Sequence, residues 1–136
     1  MIVESVILKL FQTAFGNFTD LPVKYVNTNI KIPSNGKWWE IFYIPNNVED
    51  EFWGEGKTYQ GIFRPILHWS QDNKGIYKPL SEVDKIVKGF PKGLKLIDNI
   101  ENVTVLIADN PDVNNIIEES PELLIPLTIR YTCFKV

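Results

Sequence analysis

The sequence predicts an α+β domain, a mainly antiparallel sheet of about five to six strands with two helices packed on one face. Three observations carry this expectation. Two segments place apolar residues at steps of three and four, the period of an amphipathic helix. Six others show either strict alternation or the aromatic and β-branched density of a half-buried strand. Their order is helix, strand, long hairpin, helix, strands, which gathers the helices on one side of a sheet instead of threading them between parallel strands.

Residues 2–15 put Ile2, Val3, Val6, Ile7, Leu10, Phe11, Ala14 and Phe15 on one stripe, with Glu4, Ser5, Lys9, Gln12 and Thr13 opposite. Gly16 and Asn17 predict the stop. Residues 21–26 read as a short strand, and residues 27–36 as an extended connection. The centre of the chain is a long hairpin, with strands over residues 37–45 and 59–70. In the first strand Trp39, Ile41 and Tyr43 share one face, and Trp38, Glu40, Phe42 and Ile44 share the other. Apolar residues on both faces predict cover on both, either as a central strand of a layered domain or by helices on one side and a partner on the other. In the second, Tyr59, Gly61, Phe63, Pro65, Leu67 and Trp69 alternate with Gln60, Ile62, Arg64, Ile66, His68 and Ser70. Pro65 cannot donate to a ladder and predicts an edge strand, a bulge or an outward position.

Residues 79–89 predict the second helix, with Leu80, Val83, Ile86 and Val87 inward, Pro79 in the first turn, Ser81 and Asp84 as a capping pair and Gly89 as the stop. Residues 94–98, 103–108 and 123–134 are further strands. The last is the most regular, Leu123, Ile125, Leu127, Ile129, Tyr131 and Cys133 facing the core. An acidic loop, residues 109–122, is expected before it, built around Ile116 and Ile117.

A chain of 136 residues fits one domain, expected to span 1–136. With 44% hydrophobic and 23% charged residues it is globular in composition. No apolar run is long enough for a membrane span, and the first residues lack a signal-peptide pattern, so a cytoplasmic protein with no membrane partner is expected. The net charge of −3, with lysines scattered singly, disfavours specific nucleic-acid binding, which gathers basic residues on one face. The lone Cys133 lies in a strand pattern and reads as a buried thiol.

No catalytic, cofactor or metal signature stands out. His68 is the sole histidine, and its sequence neighbours Ser70 and Asp72 define no triad, so a structural role is expected. One histidine and one distant cysteine make no metal site. Glu49, Asp50, Glu51 and Glu55 lack the alternating ligand spacing of a calcium loop and read as a solvated acidic loop. The aromatics of the hairpin strands are of the type that stacks bases, but no basic groove accompanies them. Phe52 and Trp53, among those carboxylates, sit in the hairpin loop expected over residues 46–58. They are either a local plug or an anchor offered to a protein partner.

Taken together, the N-terminal amphipathic helix, residues 21–27, the run from Pro33 to Gly36 into Trp38 and Trp39, the strand end at Pro45 and Asn46, the Gly61 strand, the helix ending in Phe90, Pro91, Lys92 and Gly93, and the alternating final strand resemble the tail-terminator proteins of long-tailed bacteriophages, the minor tail protein U-like group. The resemblance implies a structural, non-enzymatic subunit. It implies a homo-oligomeric ring, typically a hexamer, with a monomer as the alternative for the free protein, that caps the head-proximal end of the tail tube, ends tube polymerisation and prepares head joining. Partners so implied are the tail tube protein and a head-completion or connector protein, with assembly in the host cytoplasm and residence in the virion tail. Candidate interface residues are Phe52, Trp53, Glu49, Asp50 and Glu51 in the hairpin loop and Ile116 and Ile117 in the acidic loop. The competing readings are another head-tail connector or tail-completion protein, a single-stranded nucleic-acid-binding domain using the aromatic sheet, and an enzyme using His68 and the loop carboxylates.

Overall fold

A computed structural model of the protein describes residues 3–50 and 57–135, the side chains of 4–45 and 59–134 among them. Helix α1 (Val3–Phe18) leads through β1 (Val23–Lys24) to the hairpin β2 (Trp38–Asp50) and β3 (Lys57–Ser70). Helix α2 (Tyr77–Gly89) follows, then β4 (Lys95–Asp98), β5 (Val103–Ile107), β6 (Asp112–Val113), β7 (Ile117–Glu119) and β8 (Glu122–Lys135). The strand order is β1-β2-β3-β8-β5-β4, with β6 and β7 also on β8. Every pairing is antiparallel except β1 with β2. The α+β class holds, with a larger sheet than expected because the acidic segment contributes β6 and β7.

The helical stripe lands where its period sends it. Ile7, Phe11 and Phe15 are fully buried and join Trp39, Ile41, Phe63, Leu67, Ile125, Leu127 and Ile129 in one core with Val83 and Ile86 of α2. Phe11 stacks on Phe63 at 4.4 Å between ring centroids, and Phe15 meets Trp39 edge-on at 5.2 Å. Each such side chain, withdrawn from water, contributes about 1.5–3 kcal/mol. Helix α1 runs through the expected stop at Gly16 to Phe18, whose ring packs on Phe90 at 5.3 Å. Gly89 makes that approach possible, since a Cβ there would lie 2.5 Å from the Phe18 ring. The tertiary contact overrides the local signal. At the start of α2 the cap position is Ile76, with no side-chain cap, so Ser81 lies inside the helix and makes no capping pair.

Of the three alternatives for Pro65 the edge strand falls, because β3 lies between β2 and β8. Trp39 sends its N–H to Pro22 of the β1 side, so Trp39 and Ile41 point their backbone groups away from β3. Pro65, opposite Ile41, then has its missing donor on the β8 side, and there neither Arg64 nor Pro65 has a registered partner. The ladder resumes in the same register at Ile66 and Pro126. One omitted rung accommodates the proline. The bulge of the hairpin falls elsewhere, between Pro45 and Val48, and beyond it both strands continue to the Asp50–Lys57 pair, so the loop expected over 46–58 is shorter. Gly61 permits another close approach: a Cβ there would stand 2.6 Å from the Tyr131 hydroxyl and 2.7 Å from the Ile44 carbonyl oxygen.

Candidate interaction surfaces

With the helices on one face, the other face of β2, β3 and β8 has no helix over it. Phe42 and Ile44 are 43% and 47% exposed there, and Ile62, Arg64 and Ile66 are half-buried beside them. The register sets Phe42 against Arg64, Ile44 against Ile62, and Ile66 against Pro126. Large exposed apolar side chains in a contiguous group mark contact surfaces more often than chance.

At one end of this face His68 is more ordered than its sequence neighbours implied. Its ring lies on the Trp38 indole at 3.9 Å between centroids and 9° between planes. Its Nδ1 is 2.7 Å from Glu122 Oε2, and its Nε2 is 3.0 Å from Glu40 Oε1. Each ring nitrogen thus faces a carboxylate oxygen from a different strand. Lys24 adds a further charge 3.8 Å from Glu40. The partners come from three other strands and no nucleophile joins them, so the cluster links β1, β2, β3 and β8. The sequence expectation that His68 lacks orienting carboxylates is thus corrected, while Ser70, one of its supposed partners, donates instead to the Asn35 carbonyl at 2.6 Å.

Glu82, which sequence reasoning missed, is the buried carboxylate of α2. It accepts from Thr19 at 2.6 Å and from the Trp39 indole at 3.2 Å, and pairs with Lys85 at 2.9 Å. Burial raises its carboxyl, but the hydrogen bonds from Thr19, Lys85 and Trp39 and the Lys85 charge outweigh that and hold it below the ordinary range. No local pattern could have marked it, since its partners lie up to 63 residues away. Cys133 is fully buried, and burial, with a smaller effect of Glu4, pushes its thiol up to about 12. Such a thiol is a poor nucleophile.

Of the sequence-predicted interface residues, Glu51, Phe52 and Trp53 lie outside the described residues. Glu49 and Asp50 end β2, paired through the backbone with Thr58 and Lys57. Ile116 and Ile117 are 40% and 47% exposed. The segment around them is not the free loop expected: Ile117 opens β7 opposite Leu124, Asp112 and Val113 form β6 opposite Thr128 and Leu127, and Asn114 donates to the Pro126 carbonyl at 2.9 Å. Arg130 is ion-paired with Asp112, and Thr128 donates to Asn114 at 2.7 Å. Among the described residues no group of His, Cys, Asp and Glu is placed to hold a metal ion.

The architecture that carries these surfaces is that of a small α+β domain. The chain belongs to the phage tail terminator protein family, whose model matches residues 3–131. It is a structural component of a bacteriophage tail, and membership implies association with tail and head components. A solved structure of a protein designated by a sequence identifier alone shares the fold, with a TM-score of 0.70 at 16% identity over 92% of this chain and 94% of the other. No curated protein matches the chain.

Proposed function

We propose that this protein, acting as one domain over residues 1–136, assembles into a ring of about six copies that caps the head-proximal end of the tail tube. The ring stops polymerisation of the tube protein and presents a surface to a head-completion or connector protein. Assembly takes place in the host cytoplasm, and the ring stays in the virion tail. The observation that carries the reading is the family match over nearly the whole chain, and the apolar sheet face without a covering layer supports it. Glu49, Asp50, Glu51, Phe52 and Trp53 at the hairpin end, with Ile116 and Ile117 on the β8 edge, are the proposed contact residues. No helix among the described residues is long and apolar enough to cross a membrane.

Electron microscopy of tails assembled with and without the protein tests this. A cap at one end and a uniform length are expected with it. Tails of unregulated length in its presence overturn the reading, and a cap found on isolated heads instead assigns the protein to a connector.

A further inference from the structure

We propose that the outer sheet face around Arg64 is the seat for the β4–β5 turn of a second copy of this chain, so that copies join head to tail. The inference rests on the ring reading above and names two surfaces that close it.

The seat has a defined chemistry. Arg64 lies in the middle of β3, with Phe42 as its neighbour on β2 and Ile62 and Ile66 before and after it on the same face. No hydrogen bond or ion pair joins Arg64 to any described residue. The nearby charges are otherwise engaged: Arg130 by Asp112, and Glu40 by His68 and Lys24. The unmatched charge on this apolar face is therefore positive. Beside it is a shallow concavity of about 400 Å³ lined by Arg64, Val113, Asn114, Asn115, Ile117 and Pro126. An arginine at the rim of an apolar concavity favours an occupant that is apolar at its tip and negatively charged around it.

The β4–β5 turn has that composition. Its Ile100 is 88% exposed, the most exposed large apolar side chain among the described residues. Asp98 and Glu101 flank it, and no basic residue lies between Ile97 and Asn102. The other prominent apolar side chains away from the sheet face, Ile32 and Tyr77, stand beside Lys31 and Lys78, whose charges oppose Arg64. The turn is also held in shape. Oδ1 of Asp98 accepts from the Ile100 amide at 3.0 Å and from the Glu101 amide at 2.9 Å, and Asn102 takes a left-handed conformation at φ 55° before β5 begins. A knob on a pre-formed turn docks without the cost of ordering a loop.

The turn of the same chain cannot serve. Asp98 pairs with Val103, and Val103 with Lys135, so the turn lies at the Lys135 end of β8. Arg64 follows Phe63, which is opposite Ile129, and precedes Ile66, which is opposite Pro126, so it lies level with Thr128. From Thr128 to Lys135 is about 23 Å along the strand at ~3.3 Å per residue. Strands β8 and β5 also stand between β3 and β4. Contact therefore has to be in trans. Because seat and turn are different surfaces, the association is heterologous and closes a ring when the rotation permits.

The test uses cysteine cross-linking in tails capped by the protein, Cys133 being buried. Chains carrying Arg64→Cys and chains carrying Ile100→Cys, mixed, are expected to give a cross-linked dimer under oxidation, while either alone gives none. In competition with wild-type protein for places in the cap, Ile100→Asp and Arg64→Glu are each expected to be taken up about tenfold to a hundredfold less. Ile100→Leu, which keeps the apolar tip, is expected to compete nearly as well as wild type, and near-UV circular dichroism checks that each variant is folded. Dimers from Arg64→Cys alone show face meeting face, dimers from Ile100→Cys alone show turn meeting turn, and either overturns the proposal. Exclusion of Ile100→Asp without a mixed cross-link assigns the turn to a different protein of the tail and also overturns it. Normal uptake of folded Ile100→Asp or Arg64→Glu overturns it while leaving the ring reading standing. If wild-type protein caps tails without a ring, the ring reading fails and this inference with it.

Discussion

Trp38 and His68 lie face to face across the β2–β3 ladder, with the imidazole held between Glu40 and Glu122. The arrangement explains how a strand exposed on its outer face keeps a polar residue in register. His68→Ala removes the ring that both Glu40 and Glu122 contact, leaving Glu40 only its ion pair with Lys24. The expected cost is about 1–3 kcal/mol, read as a lower denaturation midpoint. Tail capping is expected to survive, since nothing reactive is lost. A folded variant that no longer caps tails would revive a functional role for the ring.

Glu82 predicts an acid limb. Its folded carboxyl sits below the usual range, so the stability it contributes is present above the unfolded value of about 4.3 and is lost as pH falls through and below that point. Guanidinium denaturation at pH values from about 6 down to about 3 is expected to show this decline. Glu82→Gln, which keeps the acceptor for Thr19 and Trp39 but does not titrate, is expected to lower stability at neutral pH and to flatten the acid limb. An acid limb of unchanged slope would assign the decline to other carboxylates.

Cys133 is expected to ignore a thiol reagent such as an aromatic disulfide in the native protein and to react stoichiometrically once the chain is unfolded in guanidinium. Rapid labelling of the native state at pH 8 would contradict its burial in the sheet.

Replacing both Phe52 and Trp53 with serine is expected to leave the melting temperature of the free protein nearly unchanged while abolishing tail capping. Ordering a segment costs about 1–2 kcal/mol per residue, so an aromatic pair that offsets this only on a partner adds little to the free subunit. A marked fall in melting temperature would identify the pair as a plug over the subunit's own surface.

The two helices and the long strands were legible because their periods run for ten residues or more: the stripe of Ile7, Phe11 and Phe15 and the alternation from Leu123 to Cys133 face the core as read. β6 and β7 were not. Two and three exposed residues carry no period, and what makes them strands is the neighbouring edge of β8. The His68 cluster was hidden for a related reason, its partners lying 28 and 54 residues away in sequence. Pro65 left three alternatives open because the rule for proline concerns one ladder, and a strand between two ladders can omit a rung from one while keeping the other. The Phe42, Ile44 and Ile62 face was legible as apolar, and its lack of a covering layer came only with the positions of the helices.

The placement of β8 also governs when a subunit comes into being. Until that strand enters between β3 and β5, the sheet consists of two unjoined halves, β1-β2-β3 and β4-β5, separated by the whole of α2. Sequence-distant pairing of this kind is slow to nucleate and leaves apolar edges open in the meantime. A nascent chain still short of residue 122 has no partner for β3 beyond β2 and no strand for Ile117–Glu119 to pair with. Synthesis of residues 122–135 is therefore the step that joins the two halves into one sheet.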